Sequence, residues 1–494
     1  MSIIDIKNLT FCHLGSITPI FEDVNLQLDT DWKLGFIGRN GYGKTTFLNL
    51  LMGKYKYEGS IYSSIPFEYF PYKIEDKDKI TIDVIKDVKG EFPLWKLERE
   101  LNLLQVSEDV LYRKFSTLSG GEQTKILLAT MFIAEEDFLL IDEPTNHLDT
   151  YGRGLLAEYL NQKYGFIVVS HDRDFLNHII DHVLSIEKNK IVLQKGNYDT
   201  WQHNKHLEDQ FELEENQKLR KEIRRLKESA REKAIWSDRV EETKIGYGPT
   251  DRGYIGHMAA KMMKRSKSIE KRYQRNIEEK EKLLKNIEPI EELKIHSLCH
   301  HSQPIIEAQD LVISYDKKEI FEPVNFTLNQ GECLVLSGIN GSGKSSIIKL
   351  LIGEGIEYTG KIYKGNNLII SYVPQRFDHL KGSLFQYIDD NNLDKTQFLT
   401  ILRKLGFSRE QFDKPMDSYS NGQKKKVLVA KSICEEAHIY IWDEPLNYID
   451  IISRIQLENM ILKCAPTMIM VEHDKKFIEN VATDVVELVS KNRI

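Results

Sequence analysis

Short apolar runs alternate with polar loops along the chain, and the same arrangement occurs twice. "LGFI" (34–37) and "CLVLS" (333–337) are each long enough for one buried strand. Each leads through a glycine-rich polar loop into a helical run, "TFLNLLMG" (46–53) and "SIIKLLIG" (346–353). Two further strand candidates end in an Asp-Glu pair, within "FLLIDEPTNHLD" (138–149) and "IYIWDEPLNYID" (439–450). Two more end in His-Asp, within "VVSHDRDF" (168–175) and "MVEHDKKF" (470–477). Every landmark recurs about 300 residues later, so the chain is a tandem duplication of one strand-loop-helix unit.

Between the copies the pattern changes. Residues 211–236 carry Leu219, Ile223, Leu226 and Ala230 at alternating spacings of 4 and 3 on a densely charged background, an amphipathic helix rather than a globular core. The stretch "SDRVEETKIGYGPTDRGYIG" (237–256) is punctuated by Gly and Pro and must reverse the chain. Residues 257–288 then place Met262, Ile269, Tyr273, Ile277 and Leu284 on one helical stripe. This predicts an antiparallel helical hairpin with arms on the order of 40 Å. The expected organisation is α/β: a first nucleotide-binding domain over 1–204, a helical linker over 205–303 and a second nucleotide-binding domain over 304–494.

Length agrees with this division, since 494 residues suit two cores of roughly 200 residues each. With 68 Lys+Arg against 75 Asp+Glu the net charge is -7, so a nucleic-acid site must be local. Residues 231–275 supply one, with twelve Lys/Arg against six Asp/Glu. There Trp236, Tyr247 and Tyr254 accompany Arg239, Lys244 and Arg252, the mixture that holds structured RNA through phosphates and base stacking. Lys261, Lys264 and Arg265 extend the set of RNA-binding candidates, against the plainer reading of a solvated coiled coil. The five cysteines show no paired spacing, which fits a reducing cytoplasm. No secretory signal is visible and no apolar run approaches the roughly 18–20 residues that span a bilayer, so a cytoplasmic protein without a membrane partner is expected.

The polar loops carry chemistry. "GRNGYGKTT" (38–46) and "GINGSGKSS" (338–346) both match G-x-x-x-x-G-K-[ST]. Gly38, Asn40, Gly41 and Gly43, with Gly338, Asn340, Gly341 and Gly343, let backbone N–H groups close on phosphate oxygens. Lys44 and Lys344 reach the β/γ-phosphates, Thr45 and Ser345 hold Mg2+, and Thr46 and Ser346 follow them. At later strand ends Asp142 and Asp443 hold the ion through water, Glu143 and Glu444 orient or deprotonate the attacking water, and His171 and His473 sense the γ-phosphate. Taken singly, each residue reads as a helix cap, a solvated acid or a strand-end histidine. Their recurrence in order favours an ATPase.

With "LSGGEQ" at 118–123, the chain resembles the ATP-binding cassette ATPases. That resemblance implies two cassettes packed head to tail within one monomer, each ATP lying between one cassette's phosphate loop and the other's signature. Ser119, Gly120, Gly121 and Glu122 would then cover the ATP on Lys344. Ser420, Asn421, Gly422 and Gln423, from the altered "YSNGQK" at 419–424, would cover the ATP on Lys44. "SYVPQR" (371–376) resembles the loop whose glutamine, here Gln375, joins the γ-phosphate and Mg2+ to a partner surface; "EYFPYK" (68–73) has Tyr72 instead. Phe11 and Tyr315 resemble the aromatic that stacks on adenine, and read equally well as ordinary strand-end aromatics. The altered signature, Tyr72 and "NYID" (447–450) all fall on the site of Lys44, predicting that this site is slower or more regulatory.

Two cassettes and a long helical linker resemble the ABC-F proteins. The resemblance implies ribosome binding at the tRNA exit site, with the linker directed at the peptidyl-transferase centre, 23S rRNA and P-site tRNA. Housekeeping members frequently carry an arm within the first cassette and a charged C-terminal tail, and neither is expected here. The phosphate loop and signature are 80 residues apart in the first half (38 to 118) and 81 in the second (338 to 419). This economy resembles the resistance branch that protects ribosomes from lincosamides, pleuromutilins and streptogramins A. A housekeeping translation factor and a non-ribosomal cassette ATPase are the competing expectations. "HSLCHH" (296–301) has metal-capable side chains at a spacing that matches no closed tetrahedral zinc site. Lys424 to Lys426 read as the solvated face of a helix, with rRNA contact as the second reading.

Overall fold

The computed structural model describes residues 2–13, 19–134, 137–146, 148–187, 189–242, 291–315 and 318–491, and the single positions 264, 268, 271, 272 and 275; side chains of 229–242 are excepted. Lys244, Tyr247, Arg252, Tyr254, Lys261 and Arg265 lie outside the described residues. Lys264 is helical and exposed, and Arg239 lies within a described helix.

Each half is built from two sheets. In the first, Phe67–Phe70, Phe138–Asp142, Phe166–Val169, Lys33–Ile37 and His182–Glu187 run parallel in that spatial order, and Lys190–Lys195 closes the edge antiparallel. The second half repeats the order with Ile370–Val373, Ile439–Asp443, Met468–Val471, Cys333–Ser337 and Asp484–Glu487. Phe166–Val169 and Met468–Val471 are apolar without alternation because both faces are covered, and every residue in them is buried. An antiparallel sheet packs beside each: Phe21–Asp29, Ile3–Phe11 and Glu58–Tyr62 in the first half, and strands paired with Ile306–Tyr315 in the second. Helices complete each half, among them Gly120–Met131 and Asn421–Cys434.

Residues 1–199 and 290–494 form one compact unit, and residues 200–289 form another. Leu293 and Ile295 are buried in the core of the second half, and the Tyr440 hydroxyl donates to the His296 carbonyl at 2.9 Å. The segment 291–298 therefore packs with the second cassette, inside the span assigned to the linker from sequence. The first linker helix, Tyr198–Glu242, is one element of 45 residues, or about 67 Å at 1.5 Å per residue. It starts before the periodic stretch, where charged pairs such as Lys205 with Glu208 at 3.3 Å support the helix. Among the described residues no helix is long and apolar enough to cross a membrane.

Candidate active site

Both phosphate loops have the same local geometry. Gly43 and Gly343 sit at φ 98° and 96° and cap the helices Lys44–Leu51 and Lys344–Ile352, a left-handed conformation that a side chain would strain. Each lysine folds back on its loop: Lys44 Nζ donates to the Gly38 carbonyl at 2.6 Å and Lys344 Nζ to that of Gly338 at 2.7 Å. The hydroxyls at the start of these helices donate to the acids at the strand ends, Thr45 to Asp142 at 2.8 Å and Ser345 to Asp443 at 3.1 Å.

Glu143 and Glu444 adopt left-handed φ of 53° and 47°, and each donates its backbone N–H to the end of the adjacent strand, at Val169 (2.8 Å) and Val471 (2.9 Å). A non-glycine residue held there costs about 1–3 kcal/mol, so the fold enforces the position. The switch histidines converge on these acids. His171 Nε2 lies 3.3 Å from Glu143 Oε1, and His473 Nε2 lies 3.9 Å from Glu444 Oε1. Burial and then the charge of Lys344 hold His473 down at about 3, and burial depresses His171 as well, so both imidazoles are neutral near pH 7.

The signatures face opposite cassettes. A cavity of 1190 Å³ is lined by Ser119, Gly120, Gly121 and Glu122 of the first half and by Asn340, Gly341, Gly343, Lys344, Ser345 and Ser346 of the second. Gln375, Glu444 and His473 open into the same cavity, and Asp149 Oδ2 accepts from the Asn340 N–H at 3.0 Å across the cassettes. On the other side a Cβ at Gly422 would fall 2.9 Å from Asn40 Nδ2 and 2.5 Å from the Tyr448 carbonyl, so the second signature abuts the first phosphate loop. Ser119 and Ser420 each start their signature helix with a reciprocal capping box, to Glu122 and Gln423. Asn421 opens the second helix where the first has Gly120.

The two sites differ in their surroundings. In the Lys44 site the Asn40 amide bridges three groups: Oδ1 accepts from Lys44 Nζ at 3.3 Å and lies 3.0 Å from His171 Nε2, and Nδ2 donates to the Tyr448 carbonyl at 2.8 Å. Tyr72 turns away, donating to Glu68, which also takes Lys89 at 2.6 Å. Tyr69, not singled out from sequence, donates instead to Asp142 Oδ2 at 3.0 Å. Its place opposite Leu140 in the parallel register is the signal that could have found it. In the Lys344 site Asp443 Oδ1 is buried without a hydrogen-bond partner, as is His473 Nε2. Burial and the adjacent Glu444 push Asp443 up to about 6. A bare carboxylate oxygen beside Ser345 fits a divalent cation, which would remove both penalties.

Phe11 and Tyr315 part company. Phe11 is 6% exposed and packs in the first core near His13 and Tyr55, whereas Tyr315 is 48% exposed, lines the cavity and donates to Ser346 Oγ at 3.2 Å. His300 of "HSLCHH" is engaged with backbone, its Nδ1 accepting from Ser302 N–H at 3.1 Å. Among the described residues no three His, Cys, Asp or Glu are grouped to hold a metal ion.

The solvated-face reading of Lys424 to Lys426 is corrected. Lys425 and Lys426 are 1% and 4% exposed. Lys426 Nζ meets Asp450 Oδ2 at 2.5 Å and the Leu405 carbonyl at 2.6 Å; Lys425 Nζ donates to the carbonyls of Pro374 (2.9 Å) and Asp443 (3.0 Å). Lys425 and Lys426 lie on the inner side of the helix, where carbonyls at strand and helix ends and one aspartate supply the acceptors that water would otherwise give, while Lys424 stays half-buried.

Burial, then the charge of Asp142, push Glu143 up to about 8. The folded state thus binds this proton more tightly than the unfolded chain, and raising the pH from the ordinary glutamate range, about 4.3, to 8 erodes stability. Without nucleotide or Mg2+, Glu143→Gln is expected to raise the unfolding midpoint at pH 8 by roughly 2–4 °C, and not at pH 4. Calorimetry at the two pH values checks this; equal shifts at both would remove Glu143 as the cause.

Paired phosphate loops, acid-ended strands and opposed signatures define a nucleotide-hydrolysing cassette dimer folded from one chain. The ABC transporter model matches residues 21–146 and 321–447, and the chain belongs to that family as an ABC ATPase. The ribosome protection protein VmlR of Bacillus subtilis (strain 168) is 28% identical over 93% of this chain and 82% of its own length. The ATP-binding protein Uup of Buchnera aphidicola (Acyrthosiphon pisum) is 28% identical over 98% of this chain and 80% of its own. Those relatives and the tandem plan place the chain in the ABC-F branch. In fold it is similar to the archaeal ribosome recycling factor aABCE1 solved with the stalk protein aP1, at TM-score 0.63 and 19% identity, covering 98% of this chain and 90% of that one.

Proposed function

We infer that the chain is a ribosome-associated ATPase that protects ribosomes from drugs acting near the peptidyl-transferase centre. The observation that carries this is the joining of two opposed ATP sites by a linker whose first helix alone runs 45 residues, in a chain similar to a ribosome protection protein over 93% of its length. ATP at both sites closes the cassettes and selects the binding form, in which the linker reaches from the exit-tRNA site toward 23S rRNA and P-site tRNA; hydrolysis releases the protein.

Within each site Lys44 or Lys344 exchanges its loop carbonyls for phosphate oxygens. Glu143 or Glu444 takes a proton from the attacking water, and the neutral histidine donates toward the γ-phosphate. Thr45 with Asp142, and Ser345 with Asp443 and Gln375, would hold Mg2+, which neutralises charge on the phosphates. Arg239, Lys244, Tyr247, Arg252, Tyr254, Lys261, Lys264 and Arg265 are the residues assigned to RNA.

The Glu143→Gln, Glu444→Gln double variant is expected to co-sediment with ribosomes in ATP and not in ADP. Expression of the unaltered chain in a sensitive bacterium should raise inhibitory concentrations of a lincosamide or a pleuromutilin several-fold. Trapping without a change in inhibition would leave a translation factor; failure of ATP to trap the double variant would sink the ribosomal reading.

A further inference from the structure

The helix Asn421–Cys434 serves both ATP sites. Its first turn brings Gly422 against Asn40 of the Lys44 loop, as the 2.9 Å approach from a Cβ at Gly422 shows. One turn later Lys425, 1% exposed, points its ammonium the other way, onto the carbonyls of Pro374 at 2.9 Å and Asp443 at 3.0 Å, with that of Gln375 at 3.5 Å. Those carbonyls belong to the two segments that carry Gln375 and Asp443 into the Lys344 site. The equivalent position in the first half is Thr124, whose hydroxyl only returns to Gly120 in its own helix, at 2.9 Å. The device therefore exists in one direction.

We propose that Lys425 is a positioning residue that couples the two sites, setting the cation-side backbone of the Lys344 site according to how its helix is seated on the Lys44 loop. The ammonium replaces water for three strand-end acceptors, so Pro374, Gln375 and Asp443 move with the helix or not at all. Nucleotide at Lys44 must rearrange Asn40, the neighbour of Gly422, and that displacement reaches Asp443 through one side chain. The proposal rests on reading Asp443 and Gln375 as the Mg2+ side of the Lys344 site.

The test is the Mg2+ dependence of ATP turnover in the full chain. Lys425→Met should raise the half-saturating Mg2+ about tenfold, and Lys425→Arg should restore it to within about threefold. In the otherwise unaltered protein Lys44→Ala should also shift this constant, and in the Lys425→Met background that shift should vanish. If Lys425→Met lowers only the unfolding midpoint, or the Lys44→Ala shift persists in full, the coupling is overturned. Lys425→Gln, which keeps a donor and loses the charge, serves the same comparison if the methionine variant does not fold. Asp443→Asn is measured beside them: an unchanged Mg2+ dependence there would overturn the assignment of the cation side, whereas a large change with Lys425→Met silent would overturn the coupling alone.

Discussion

Glu444→Gln is expected to lower ATP turnover by on the order of a hundredfold, and Glu143→Gln by less than about threefold. Loss of a positioned general base commonly costs about 10²–10⁴ in rate, provided that the site in question carries the flux. The Lys344 site is arranged to carry it. Its cavity opens between the first signature and the second phosphate loop, Gln375 lines it, and Asn447 Nδ2 fixes Glu444 Oε2 at 2.5 Å. Asp443 still has a bare buried oxygen to offer a cation. In the Lys44 site the Asn40 amide already engages Lys44, His171 and the opposite cassette, and Asp142 Oδ2 already accepts from both Thr45 and Tyr69. ATP must break that set before it can react there, and Tyr72 is turned onto Glu68 and Lys89. Steady-state phosphate release from the two single variants checks the ranking, with single-turnover measurements to separate chemistry from release. Equal losses would end the asymmetry.

Much of this was legible before any coordinates. Two G-x-x-x-x-G-K-[ST] loops, two Asp-Glu strand ends and two His-Asp strand ends at one offset point to the strand ends of both sheets and to both sets of candidate site residues, because each motif needs a strand end on one side and a helix start on the other. The altered second signature and Tyr72 pointed to the Lys44 site, since opposed cassettes are the arrangement that gives each phosphate loop a covering signature. What was not legible depends on which way a side chain turns. By strand register Phe11 matches Ile313, not Tyr315: its carbonyl accepts from Ile20 N–H as that of Ile313 accepts from Ile320 N–H, so Phe11 fills a core while Tyr315, two residues further along its strand, faces the cavity. Three successive lysines read as a wet face because a lone buried ammonium is costly. Lys425 and Lys426 are inside because carbonyls 18 to 51 residues away in sequence, and Asp450, happen to converge on them.

The largest effect on stability should come from that buried pair. Asp450 is 1% exposed; its Oδ1 caps the helix Ile451–Cys464 by accepting from the Ser453 N–H at 3.0 Å, and its Oδ2 holds Lys426. Although burial alone would raise the Asp450 carboxyl, Lys426 and the other groups around it bring it far below the ordinary range. Its stabilising effect is therefore present at neutral pH and lost only on strong acidification. Asp450→Ala strands a desolvated ammonium and removes the cap, at a cost of about 3–5 kcal/mol, or on the order of 10 °C in the unfolding transition of the second half. Lys426→Met paired with Asp450→Asn removes both charges and keeps a capping side chain, and should recover most of that loss. In the first half the counterparts are Lys125 and Asp149, and the arrangement differs: Asp149 caps its own helix through Gly152 and extends Oδ2 to Asn340 in the other cassette. Lys125→Met should therefore cost less than about 1 kcal/mol, the scale of a partly exposed charge that lacks a tight partner. Calorimetry of the three variants decides the matter: comparable losses from Lys125→Met and Asp450→Ala would mean that both aspartates are held the same way. Unequal losses would show that the chain anchors Asp450 within its own cassette and leaves Asp149 to reach across to Asn340 of the Lys344 loop.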